Sequence, residues 1–156
     1  PYPVINRGFG GSKLPDVIHY IDRIVLAYKP RLIFLYEGDN DMASGRKHSP
    51  TEVFSNFKKF ISLVQANLPD TLVFFISIKP SSSRWDQWPE MKKANRLIRD
   101  YAEHHERVGF IDISQAMLNA DGQPRDDLLI WDGLHMNREG YRIWTSIIKP
   151  VIQKNY

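Results

Sequence analysis

Leu32-Ile-Phe-Leu-Tyr36 and Leu72-Val-Phe-Phe-Ile-Ser-Ile78 are nearly continuous apolar runs. A strand with one wet face alternates apolar and polar residues. An unbroken run suits a strand covered on both faces, as in a parallel sheet sandwiched between helices. With their flanks these runs define strands over Leu32–Glu37 and Leu72–Lys79. Two shorter runs, Val4–Asn6 and Gly109–Ile113, read the same way.

Helical patterns separate the strands. Leu14, Val17, Ile18, Ile21, Ile24, Val25 and Tyr28 recur at three- and four-residue spacing, which predicts one helix. Ser49, Pro50 and Glu52 form a capping-box start for a second, whose apolar stripe is Val53, Phe54, Phe57, Phe60, Ile61 and Val64. A third runs from about Pro89 to His104, with Met91, Ala94, Leu97, Ile98 and Tyr101 inward. A fourth starts near Asn137, buries Tyr141, Trp144, Ile147 and Ile148, and should kink or end at Pro150. The order β-α-β-α-β-α-β-α predicts a three-layer α/β/α sandwich with a parallel sheet, as one domain over residues 1–156.

Composition narrows the function classes. The 156 residues are 42% hydrophobic and 25% charged, as in an ordinary globular domain. The formal charge of +3 is small and its cations are interleaved with acids, as in Arg96-Leu-Ile-Arg-Asp100. That is a solvated face rather than a nucleic-acid footprint. No apolar run is long enough to span a membrane as a helix. The absence of cysteine removes thiol catalysis, zinc knuckles and disulfides together. No signal peptide is visible, but Pro1-Tyr-Pro-Val-Ile5 reads as mid-protein sequence, so an upstream targeting segment and a secreted or periplasmic location stay open.

In open parallel sheets, ligands bind beyond the carboxyl ends of the strands. Asn6-Arg-Gly-Phe-Gly-Gly-Ser12 follows the first run; its glycines allow a tight turn and free N–H groups for an oxyanion or phosphate. Neither a dinucleotide fingerprint nor a Walker loop fits, and a plain glycine turn is the alternative. Gly38-Asp-Asn-Asp41 follows the second run. Its acids are compatible with a metal or with a capped turn, although the calcium-loop spacing fails. Asn40 there is a candidate side-chain donor to an oxyanion. In Trp131-Asp-Gly-Leu-His-Met-Asn137, Asp132 can turn back onto His135, accept its Nδ1–H and leave Nε2 as a general base. The alternative is a structural pair ahead of a helix capped by Asn137. Histidines 19, 48, 104 and 105 read as surface residues.

Together the three loops resemble the SGNH/GDSL hydrolase family, in order and spacing, over essentially the whole chain. Asn6-Arg-Gly-Phe-Gly-Gly11 looks like its second block, Gly38-Asp-Asn-Asp41 like its third (G-x-N-D) and Asp132-Gly-Leu-His135 like its fifth (D-x-x-H). The pairing with Ile76-Ser-Ile-Lys-Pro80 looks like a bacterial esterase subgroup. The resemblance implies the flavodoxin-like SGNH fold and a carboxylic ester hydrolase acting on short-chain acyl esters, acetylated carbohydrate included. His135 and Asp132 would be catalytic, and the Gly11 N–H and Asn40 side chain would form the oxyanion hole. No metal or organic cofactor is implied.

One block is missing. The G-D-S-like motif with the nucleophilic serine belongs upstream of the glycine loop, on a strand between those of Val4–Asn6 and Leu32–Glu37. Ser12, Ser81, Ser82 and Ser83 are poor replacements. The expectation is an N-terminally incomplete domain whose missing-strand gap is filled by an upstream segment, by another chain through strand exchange or homo-oligomer formation, or by a shifted Val4–Asn6. The rival readings are an inactive fragment or binding domain, and a phosphate- or metal-binding Rossmann-like domain. Trp85, Trp88 and Trp131 are candidates for a substrate rim. Helix-cap packing is the alternative for the first two, and shielding of the Asp132–His135 hydrogen bond for the third.

Overall fold

The computed structural model describes residues 2–43 and 48–156. Three parallel strands, β1 (Leu32–Leu35), β2 (Leu72–Ile76) and β3 (Val108–Ile111), form one sheet in the order β1-β2-β3. Leu32 pairs with Leu72, and Phe75 with Phe110. Side chains alternate across the strands, so each apolar run serves two cores. Leu35, Val73 and Phe75 face one side. There they pack on α1 (Leu14–His19), α3 (Pro50–Asn67) and α4 (Trp88–Glu103) through Leu14, Val53, Phe57, Phe60, Ile61, Met91, Ala94 and Ile98. Phe34, Phe74, Ile76 and Ile111 face the other side, under Trp144, Ile147 and Ile148 of α5 (Arg138–Asn155). This is the expected three-layer sandwich.

Four expectations need correction. Val4–Asn6 is not a strand: Val4 and Ile5 are 78% and 57% exposed, because a run this short holds an extended form only with a neighbour to pair with. The first helix is broken into α1, α2 (Ile21–Ile24) and a 3-10 turn, Leu26–Tyr28, with the second break at the β-branched pair Ile24–Val25. Pro150 does not end the fourth helix: it lies inside α5, which continues to Asn155. The carbonyl it leaves without an intrahelical donor is that of Ser146, on the exposed face of the helix within reach of water. Tyr141, expected inward, is exposed, whereas Trp144 is buried.

The capping box forms as read. Ser49 Oγ accepts Glu52 N–H, and Glu52 accepts Ser49 N–H at 2.6 Å. Past the end of β2 the chain is braced by buried Asn95 of α4, which accepts Ile78 N–H at 2.8 Å and donates to Ile78 O at 2.9 Å. That brace delivers Lys79 and the following loop to the carboxyl end of the sheet.

Candidate active site

Asp132 and His135 form the expected pair. The Asp132 Oδ2 to His135 Nδ1 distance is 2.6 Å. Asp132 Oδ1 accepts the backbone N–H groups of Leu134 and His135, each at 2.9 Å. The hydrogen bond to His135, reinforced by these two backbone donors, holds the Asp132 carboxyl down to about 2, so it stays ionised. The turn is set from both sides. Gly133 N–H donates to Ile130 O, and Ile130 N–H donates to His135 O at 2.8 Å. Beyond it, Asn137 Oδ1 caps α5 by accepting from Glu139 and Gly140 N–H. The capping predicted as an alternative to catalysis coexists with a pair that leaves His135 Nε2 facing solvent on an exposed side chain.

The glycine loop lies exposed, with Gly11 at φ +75°, a conformation that favours glycine. Ser12 turns inward, and its Oγ donates to the buried Glu37 carboxyl at 2.7 Å. Burial pushes Glu37 up to about 7, against the opposing pull of that hydrogen bond. Asn40 Nδ2 donates to Ser12 O at 3.0 Å, tying the third block to the second. Asp41 is fully buried and accepts Leu14 N–H, at the start of α1, and Gly38 N–H.

A charged cluster that sequence reading missed lies beside Asn40. Asp39 accepts from Lys79 Nζ at 3.2 Å, from Arg84 at 2.5 Å and from the Tyr36 hydroxyl at 3.0 Å. Burial works against ionising Asp39, but Lys79 and then Arg84 outweigh it and hold its carboxyl below the ordinary value. Burial pulls Lys79 down, opposed by Asp39. The second Arg84 nitrogen donates to Asn40 Oδ1 at 2.9 Å. The preceding residue, Ser83, donates its N–H to Gly133 O at 3.0 Å. A continuous path therefore joins Gly11-Ser12, Asn40, Arg84, Ser83, Gly133 and the Asp132–His135 pair. The sequence signal lies in Arg84-Trp-Asp-Gln-Trp88, whose arginine directly precedes the tryptophans named as rim candidates. Asp39 and Asp41 are thus engaged by cations and backbone donors, an arrangement that does not favour the metal-site alternative.

Comparison with known proteins settles the lineage. Residues 1–143 match the model of the GDSL-like Lipase/Acylhydrolase family. The chain belongs to that family. It is 25% identical to the isoamyl acetate-hydrolyzing esterase of Saccharomyces cerevisiae, over 98% of this chain and 70% of the esterase. A GDSL-like lipase from Bacteroides thetaiotaomicron superposes with a TM-score of 0.84 at 24% identity, over 97% of this chain and 76% of the other. A carbohydrate esterase family 3 structure from Talaromyces cellulolyticus gives 0.78 at 22% identity, over 94% and 69%. The GDSL-like family is one of ester hydrolases.

Within this GDSL-like domain two serines near the sheet's carboxyl end have other partners: Ser12 is bound to Glu37 and Ser82 donates to Asp126, whereas the buried Ser81 hydroxyl has no hydrogen-bond partner among the described residues. Among the described residues no hydroxyl is hydrogen-bonded to His135. The tryptophans divide. Trp88 is 4% exposed and belongs to the core, so it is not a rim residue; it stacks with the half-buried Trp85 at 6.3 Å between ring centroids. Trp131 is 95% exposed and therefore does not shield the Asp132–His135 hydrogen bond. His105, expected at the surface, is half-buried against the Tyr101 ring. Among the described residues, no helix is long and apolar enough to cross a membrane.

Proposed function

We propose that this domain supplies the acid–base pair and oxyanion hole of a serine-dependent carboxylic ester hydrolase. A serine Oγ attacks the ester carbonyl carbon and its proton passes to His135 Nε2. Asp132 fixes the imidazole tautomer and stabilises the imidazolium. The Gly11 N–H, the Asn40 amide and the serine's own N–H hold the oxyanion. Collapse returns the His135 proton to the leaving alcohol, and water then hydrolyses the acyl-serine by the same proton route. The observation that carries this reading is the hydrogen-bonded path joining Asp132–His135 to Asn40 and the glycine loop.

The nucleophile comes from outside these residues, on a strand added to the free edge of β1, supplied by an upstream segment or by another chain. Support for that placement is that β1 pairs only with β2 among the described strands, while Leu32, Ile33 and Phe34 stay half-buried. An apolar edge of this kind calls for a cover. The substrates are small, short-chain acyl esters, acetylated carbohydrate among them, a class in keeping with the names of the yeast and Talaromyces relatives. The reaction as written needs no metal or organic cofactor.

A fluorophosphonate probe tests this. In the full-length protein the label is expected on a serine outside residues 1–156. Labelling at Ser12, Ser81, Ser82 or Ser83, or none at all, would overturn the assignment. The absence of labelling would favour the second reading, a non-catalytic domain, whose supporting observation is that among the described residues no serine hydroxyl is hydrogen-bonded to His135.

A further inference from the structure

We propose that Arg84 is a positioning residue for the oxyanion hole, acting by fixing the amide of Asn40. The proposal rests on Asn40 being an oxyanion donor, as argued above.

The two ends of the Asn40 amide meet partners of fixed polarity. A guanidinium has donors only, so the atom facing Arg84 at 2.9 Å must be the oxygen. A backbone carbonyl only accepts, so the atom facing Ser12 O at 3.0 Å must be the nitrogen. The orientation therefore follows from chemistry. One amide hydrogen is used on Ser12 O, and the second has no acceptor among the described residues and remains for a ligand oxygen. Ser12 O alone would hold the amide at one point and leave it free to swing about that bond. Arg84 provides the second point. Its positive charge at Oδ1 also polarises the amide, which makes the remaining N–H a stronger donor where negative charge develops.

Arg84 is itself held. Its other nitrogen is 2.5 Å from Asp39 Oδ1, and Asp39 is anchored by Lys79 at 3.2 Å and by the Tyr36 hydroxyl at 3.0 Å. The planar fork of arginine spans Asp39 and Asn40 together, whereas the compact ammonium of lysine cannot reproduce both contacts in the same geometry. Because Ser83 donates to Gly133 O, the loop carrying Arg84 also sets the spacing between Asn40 and the Asp132–His135 turn.

The test is a double-mutant cycle on the full-length protein with p-nitrophenyl acetate, measuring kcat and KM separately. Arg84→Ala is expected to lower kcat about 10- to 100-fold, the range for losing a hydrogen bond to a charged group, with KM within about twofold. In the Asn40→Ala background the same change should cost less than about threefold, because its target is gone. Arg84→Lys keeps the charge beside Asp39 and controls for folding: its melting temperature should stay near wild type while kcat still falls. Equal losses from Arg84→Ala in both backgrounds would overturn the proposal, as would a rise in KM at constant kcat or full activity of both Arg84 variants. An Asn40→Ala protein with unchanged kcat would instead defeat the oxyanion-hole reading beneath it.

Discussion

Glu37→Gln should change how stability responds to pH, in a direction fixed by the site. The folded chain holds the Glu37 carboxyl at about 7, against an ordinary 4.5, chiefly through burial. Its folded value is raised, so between those limits the folded state binds more protons than the unfolded state, and stability falls as pH rises. The difference of about 2.5, at about 1.36 kcal/mol per pH unit, gives about 3 kcal/mol. That cost is absent below pH 4.5 and complete above pH 7. Glutamine keeps an acceptor for the Ser12 hydroxyl, carries no charge and does not titrate. The variant's stability relative to wild type should therefore rise by about 3 kcal/mol from pH 4 to pH 8. The assay is urea unfolding of both proteins across that range. With m near 2 kcal/mol/M, the midpoint difference should grow by about 1.5 M. A difference constant with pH, or one that shrinks as pH rises, would refute the reasoning about Glu37.

Three further outcomes follow from the geometry. Asn40→Ala should lower kcat by a factor corresponding to about 3–4 kcal/mol, with KM little changed, in steady-state hydrolysis of a short-chain ester. Asn137→Ala removes the acceptor for Glu139 and Gly140 N–H at the start of α5 and should cost about 1 kcal/mol in denaturant unfolding. Gly38 sits at φ +101°, and a Cβ there would lie 2.6 Å from Ile78 Cδ1. Gly38→Ala should therefore destabilise by about 1–3 kcal/mol, visible as a lower melting temperature.

The layered fold was legible because its signal is local. Runs such as Leu72–Ile78 serve two apolar cores, and stripes such as Val53–Val64 serve one. Val4–Asn6 shows the limit of that reading, since a strand exists only with a partner and composition does not say whether one is present. The Asp132–His135 pair was legible because its partners are three residues apart with a glycine between them. Arg84 was not, because it meets Asp39 and Asn40 only after the chain has crossed from β1 to β2. Lys79 looked like the end of a strand, and its burial beside Asp39 is likewise a tertiary fact. Trp88 and Trp131 look alike in sequence, yet packing buries one and exposes the other.

The central claim is that His135 is the general base of an ester hydrolase. Its most direct test is the steady-state rate of His135→Ala in the full-length protein on p-nitrophenyl acetate at neutral pH. A fall in kcat of about a thousandfold with an unchanged melting temperature is the expected result. Full activity in that variant would contradict the account.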